Sequence, residues 1–92
     1  MPQLFRIGKY IVYFWSNESR PIEPVHVHVA EGDPEQNATK IWITQDGHAL
    51  LCNNNSRIPK RELKLLIRMI EANSQMIVDR WNDHFETISY YC

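Results

Sequence analysis

Two histidines stand two residues apart in Pro24-Val25-His26-Val27-His28. On an extended strand, residues i and i+2 share a face, so the rings of His26 and His28 are neighbours. With one ring neutral and one protonated, the pair can serve as base and acid at a phosphate near neutral pH. With a third ligand it can hold a divalent metal, and Glu23, Glu31 and Asp33 are near enough in sequence to be that ligand. The plainer alternative is that both rings pack and hydrogen-bond within a sheet or an interface. The string His26-Val27-His28-Val29-Ala30-Glu31 has its carboxylate at the wrong spacing for a cupin metal motif, and the chain is too short and too helical for a cupin barrel. No metal or organic cofactor is therefore expected.

A second group is cationic. Arg57, Lys60, Arg61, Lys64 and Arg68 hold half of the ten Lys and Arg residues. Arg61, Lys64 and Arg68 fall on one face of a helix, where they can contact phosphates or an acidic partner. A solvated helix face is the commoner meaning of such a run. Two cations near a helix N-terminus oppose its dipole, a small cost that hints at another role. Lys40 and Trp42 alternate on a strand of their own. With Tyr13 and Trp15 they could stack and hold bases, as sheet-type RNA binders do, although no RNA-recognition consensus is present. Core and interface packing is the commoner role of such rings. The candidate site is thus His26 and His28 for chemistry, with Lys40, Trp42, Arg61, Lys64 and Arg68 for binding.

The elements that must position these residues follow from periodicity. Leu4–Ile7 and Tyr10–Trp15 read as a hairpin about Gly8-Lys9, where Gly at the first central position suits a type II′ turn. A loop at Ser16–Glu23 is followed by a period-2 strand at Val25–Ala30, with Val25, Val27 and Val29 on one face and both histidines on the other. After the acidic loop Glu31–Thr39, a second hairpin joins Lys40–Gln45 to His48–Cys52 about Asp46-Gly47. From Pro59 to about Phe85, Leu63, Leu66, Ile67, Ile70, Ile77, Trp81 and Phe85 keep helical spacing. Because the stripe stays in phase across Asn73-Ser74, one long helix, about 58–86, kinked or straight, is expected rather than two. The expected fold is α+β: an antiparallel sheet of four to five strands over residues 4–52, packed on that helix. One sheet face takes Val25, Val27, Val29, Ile41 and Ile43 against the helix. The other, with His26, His28, Lys40, Trp42 and Thr44, is expected to be open.

The chain has 92 residues, 43% apolar and 23% charged, which suits a single domain over 1–92. A net charge of −1 argues against nonspecific nucleic-acid binding by the whole surface. No secretory signal and no membrane-length apolar run is seen. Cys52 and Cys92 form no C-x-x-C pair and read as free thiols, so a cytoplasmic protein without membrane contact is expected. The glycosylation-type triplets Asn17-Glu18-Ser19, Asn37-Ala38-Thr39 and Asn54-Asn55-Ser56 then carry no meaning. There is no G-x-S-x-G, Walker loop, H-E-x-x-H or dinucleotide fingerprint.

Four stretches together resemble a bacterial family, the domain of unknown function 4160. They are Ile11-Val12-Tyr13-Phe14-Trp15-Ser16-Asn17-Glu18, Glu23-Pro24-Val25-His26-Val27-His28-Val29, Ala38-Thr39-Lys40-Ile41-Trp42-Ile43, and the helix from Glu62-Leu63 through Glu71-Ala72-Asn73 to Trp81-Asn82-Asp83-His84-Phe85. The chain departs from the family pattern at Val25, where a second proline is common, and at Ile58-Pro59, where Phe-Ser is common. The resemblance implies a small protein of bacterial, mobile-element or phage origin, with a sheet followed by a helix and no established activity. It also implies a place in a two-gene cassette beside a DNA-binding-type partner, in the manner of toxin–antitoxin pairs. The leading expectation is an interaction protein that meets a small protein partner, or a second copy, through the open face around His26, His28 and Trp42. The alternatives are a small nuclease acting on RNA, with Lys40 and Arg61 or Lys64 holding phosphate, and a metal-binding regulatory module.

Overall fold

The computed structural model describes residues 3–16 and 22–92. Most of the loop expected at Ser16–Glu23 falls outside the described residues. Five strands, β1 (Gln3–Ile7), β2 (Tyr10–Tyr13), β3 (His26–Glu31), β4 (Thr39–Ile43) and β5 (Ala49–Asn53), form one antiparallel sheet in sequence order. Two helices follow, α1 (Lys60–Ala72) and α2 (Ser74–Phe85). The α+β class and the strand-then-helix order are as the patterning predicts.

Both hairpins turn at the expected glycines. Gly8 takes φ 58° while Lys9 stays at negative φ, the pattern a II′ turn needs. Gly47 takes φ 84° and closes a three-residue loop, in which Thr44 N–H donates to the His48 carbonyl at 2.8 Å and Gly47 N–H donates to the Thr44 carbonyl at 3.0 Å.

The single long helix is corrected to two. Asn73 leaves helical geometry at φ −107°, ψ 16°. Its side-chain amide donates to the Met69 carbonyl at 2.8 Å, and its backbone N–H is shared between the Met69 and Ile70 carbonyls at 3.2 and 3.1 Å. A side chain that competes for a helix carbonyl in this way interrupts the ladder. The apolar stripe survives the break: Leu63, Leu66, Ile70, Ile77 and Trp81 are all buried. They close over Val12, Val27, Val29, Ile41 and Ile43 in one core.

The start of α1 is tied down by short polar side chains. Asn54 accepts the Ile58 N–H at 3.1 Å and donates to the Ile58 carbonyl at 3.0 Å. Ser56 Oγ donates to Val29 O at 3.0 Å and accepts Thr39 N–H at 2.9 Å. Tyr10 Oη donates to Glu62 Oε2 at 3.1 Å, which fixes the first turn of α1 to β2. Among the described residues no helix is long and apolar enough to cross a membrane.

Trp81 is fully buried, with ring centroids 5.0 Å from Phe14, 5.2 Å from His26 and 4.5 Å from Phe85. Its indole N–H has no acceptor among the described residues. Trp81→Ala should cost about 3–5 kcal/mol in urea unfolding through loss of contacts and the cavity left. Trp81→Phe should cost less than half of that, because no hydrogen bond is lost. Equal losses for the two variants would contradict this account of the packing.

Candidate functional site

The registers build the histidine face row by row. Tyr13 pairs with His28 and His28 with Lys40, so these three cross the sheet together. His26 pairs with Trp42, and Trp42 with Leu50, in the next row. The pairings put both histidines on the face opposite the core valines, as the strand alternation predicts, although Trp81 of α2 still reaches the His26 ring.

That face is not open at the histidines. His26 is 0% exposed and His28 8%. Tyr13 stacks on His28 with centroids 5.6 Å apart and exchanges two hydrogen bonds with Glu35: its hydroxyl donates to the Glu35 carbonyl at 2.7 Å and accepts the Glu35 N–H at 2.9 Å. The loop after β3 is thereby pinned over the sheet, and Ala38 packs with Ile11, Tyr13 and Ala30 in a second, smaller core. Residues after α2 cover the rest. Val25 N–H donates to Ser89 O and Gln45 N–H to Cys92 O, each at 2.9 Å, and the Tyr91 ring stacks on Trp42 at 4.8 Å with 3° between planes. The expectation of an uncovered face fails because period-2 patterning shows which residues share a face and not what a loop or tail lays over it.

The imidazoles are held as neutral, oriented rings. His26 Nδ1 lies 2.9 Å from the Pro24 carbonyl, and His28 Nδ1 3.4 Å from the Ala38 carbonyl. A carbonyl only accepts, so each Nδ1 carries the proton. The two rings meet edge to face at 5.1 Å, and His26 meets Trp42 the same way at 5.7 Å. Burial pushes the His26 pKa down to about 4, with the His28 and Lys40 charges adding to it. Burial lowers His28 as well.

Lys40 is not a free phosphate ligand. Its ammonium bonds the Glu23 carboxylate and lies 4.4 Å from the centre of the Trp42 ring. Burial works to raise the Glu23 carboxyl, but Lys40, with both histidines behind it, holds the pKa below the usual range. Glu31 pairs with Lys9 at 3.7 Å. Of the three carboxylates considered as metal ligands, Glu23 and Glu31 are therefore engaged with cations. Among the described residues no three His, Cys, Asp or Glu side chains group as a metal site.

Arg61, Lys64 and Arg68 are exposed on α1, which packs on the other face of the sheet. The sheet stands between them and the histidines, so one constellation joining His26, His28 and Lys40 to Arg61 or Lys64 does not form. With Lys60, Glu62 and Leu65 the three instead line a shallow surface depression of about 700 Å³. Leu65 is 50% exposed. Among the described residues no carboxylate forms an ion pair with Arg61, Lys64 or Arg68.

A match to the family described as a domain of unknown function, DUF4160, covers residues 10–82. The chain belongs to the DUF4160 family. No curated protein and no solved structure matches it. The DUF4160 match takes in both histidines, Lys40, Trp42 and all of α1. The β1 strand and the stretch carrying Tyr91 lie outside it.

Sequence reasoning missed Tyr13 as the loop's anchor, Glu35 as its partner, Glu23 as the Lys40 counter-ion and Tyr91 as the Trp42 lid. Only Glu23 carried a local signal, standing beside Pro24. The other three depend on contacts between residues far apart in the chain. His48 and His84 hold segments that meet in space: His48 Nδ1 lies 3.2 Å from Glu71 Oε1, and His84 Nε2 lies 2.8 Å from Ser16 O.

The low His26 pKa has a consequence for stability. Between pH 6.5 and about 4 the unfolded chain binds a proton at His26 that the folded chain does not. Stability is therefore lost as the pH falls through that window, by up to about 3 kcal/mol, and His26 adds no slope above or below it. His28 acts in the same direction. His26→Phe should flatten the urea-unfolding free energy across this range, and an unchanged slope would show that the ring is not buried neutral.

Proposed function

We propose that this chain is an interaction component, one half of a toxin–antitoxin-type pair, and that it binds an acidic, amphipathic segment of its protein partner on the outward face of α1. The carrying observation is the depression itself: Arg61, Lys64 and Arg68, without ion-pair partners among the described residues, beside Glu62 and the half-exposed Leu65. An apolar residue bordered mostly by cations suits a helix or strand that presents Leu or Ile flanked by Asp or Glu, with the charges steering association. The network at Asn54, Ser56 and Thr39 supports this reading, because it holds the first turns of α1 rigid before any partner arrives. The two-gene cassette implied by the family resemblance supports it too.

The nuclease alternative draws no comparable support. Acid–base chemistry at a phosphate needs rings that a substrate can reach. His26 and His28 are buried with Nδ1 committed to carbonyls, and the α1 cations lie on the opposite side of the sheet.

Fluorescence anisotropy with a labelled amphipathic Glu/Leu peptide and a labelled single-stranded RNA of equal length tests the proposal. The peptide should bind, weaken with added salt, and lose about tenfold or more in affinity in Arg61→Glu/Arg68→Glu, as for paired interface charges. Tighter binding of the RNA, or a variant that binds the peptide as wild type does, would overturn it.

A further inference from the structure

The two edges of the sheet differ in how they are protected. Edge strands template pairing with another chain, and proteins blunt them with charge, proline, bulges or a covering group. Edge β1 carries Arg6, shifts register between Gln3 and Phe5, and has the Gln3 carbonyl capped by Arg80 at 3.5 Å. Edge β5 reads Ala-Leu-Leu-Cys-Asn, with no charge and no proline. Leu50 is 41% exposed and Leu51 39%.

Hydrogen-bond parity shows which backbone groups of β5 face outward. Thr44 N–H donates to His48 O, so that pair is hydrogen-bonded across the hairpin. Alternation then turns Ala49 and Leu51 away from β4. Ala49 confirms it, since its N–H reaches outward to Glu71 Oε1 at 2.9 Å. Leu51 accordingly directs its N–H and C=O off the sheet. Glu71 closes one end of the open stretch. A register irregularity, with Lys40 opposite Asn53 and Ile41 opposite Leu51, leaves Cys52 as an extra residue at the other end.

The flank of α1 beside this edge is identified by the same Glu71 contact. Lys60, Lys64, Ile67 and Glu71 stand at i, i+4, i+7 and i+11 and form one stripe along that flank. The stripe is cationic in its N-terminal half, half-buried and apolar at Ile67, and anionic at Glu71. Ala49 and Leu51 are about 7 Å apart along the strand, which corresponds to four or five residues of helix. A two-fold axis through Leu51 would then cross α1 near Leu66 and Ile67.

We propose that β5 joins β5 of a second copy of this chain, antiparallel about a two-fold axis at Leu51, so that two sheets become one. Leu51 N–H and C=O of each copy exchange hydrogen bonds, and Leu50 and Leu51 lose their exposure. The axis lays the two α1 helices antiparallel and sets Glu71 of each copy opposite the Lys60–Lys64 half of the other. This charge complementarity selects a second copy over an arbitrary strand. The stop at Glu71 and the bulge at Cys52 limit pairing to one register and end the assembly at two copies.

Sedimentation velocity over about 1–500 µM should show a monomer–dimer equilibrium. Leu51→Lys should raise the dissociation constant at least about tenfold by burying an unpaired charge. Circular dichroism checks that this variant folds. Lys60→Glu, at an exposed position, should weaken the dimer as well, and Arg61→Glu/Arg68→Glu, on the outward face, should leave it unchanged. In a Cys52→Ser/Cys92→Ser background, Leu51→Cys should form an intermolecular disulfide on mild oxidation, because facing residues of a hydrogen-bonded pair have Cα atoms about 5.5 Å apart. A wild-type monomer throughout the range, or a dimer indifferent to both Leu51→Lys and Lys60→Glu, would overturn the proposal.

Discussion

Strand β3 is the middle of a five-strand meander, and His26 to Ala30 are buried on both of its faces. An antiparallel sheet can leave one face to water, but this strand leaves neither. On one side Val27 and Val29 are met by the helices, which is the ordinary two-layer solution. On the other side the sheet carries histidines, a lysine and aromatic rings, and apart from the Trp81 contact with His26 neither helix covers them. The chain covers them with connecting segments instead. The loop after β3 is bolted to Tyr13 through Glu35, and the stretch after α2 lays Tyr91 on Trp42. The ionisable groups that this brings out of water have partners: carbonyls for the two Nδ1 atoms, and Glu23 with the Trp42 ring for Lys40. A buried polar group left without one costs about 1–3 kcal/mol, which is why the cover is specific rather than generic.

This constraint explains the fate of the His-x-His motif. Its spacing marks a real structural unit, because two imidazoles on one strand face can meet edge to face and donate Nδ1–H hydrogen bonds to backbone carbonyls. The same contacts withdraw the rings from solvent and drive their pKa values down. An arrangement that resembles an acid–base pair on paper therefore becomes a neutral, hydrogen-bonded part of the interior. The cationic helix has the opposite history. Read as a solvated face, its charges looked ordinary, yet among the described residues Arg61, Lys64 and Arg68 have no ion-pair partner while Lys40, Lys9 and Arg80 all find partners.

Local signals were legible in the sequence and long-range ones were not. Gly8 and Gly47 marked both hairpins because positive φ is a one-residue requirement. The alternation from Val25 to Ala30 assigned faces correctly because the strand period is two. The break at Asn73 was visible as a residue type, but an in-phase stripe argued for continuity. What decided the matter was a side-chain bond to Met69, four residues back, that competes with the backbone, and apolar phase does not record such a bond. The covering of the histidine face was illegible for a different reason. The Tyr13–Glu35 and Trp42–Tyr91 contacts span 22 and 49 positions, and nothing in the local pattern at Glu35 or Tyr91 announces them.

The two surfaces assigned to α1 are compatible because of helical geometry. Arg61, Leu65, Arg68 and Ala72 follow the outward stripe, and Lys60, Lys64, Ile67 and Glu71 follow the flank beside β5. The stripes are offset by one residue, which is a rotation of about 100°. A ligand on the first projects away from the sheet, while a copy on the second extends the sheet in its own plane. A two-fold pairing would then carry two outward cationic faces on one body, and a partner with two acidic segments would gain from binding both. Lys60 and Lys64 border the depression as well as the flank, so they are the residues through which occupancy of one surface would be felt at the other.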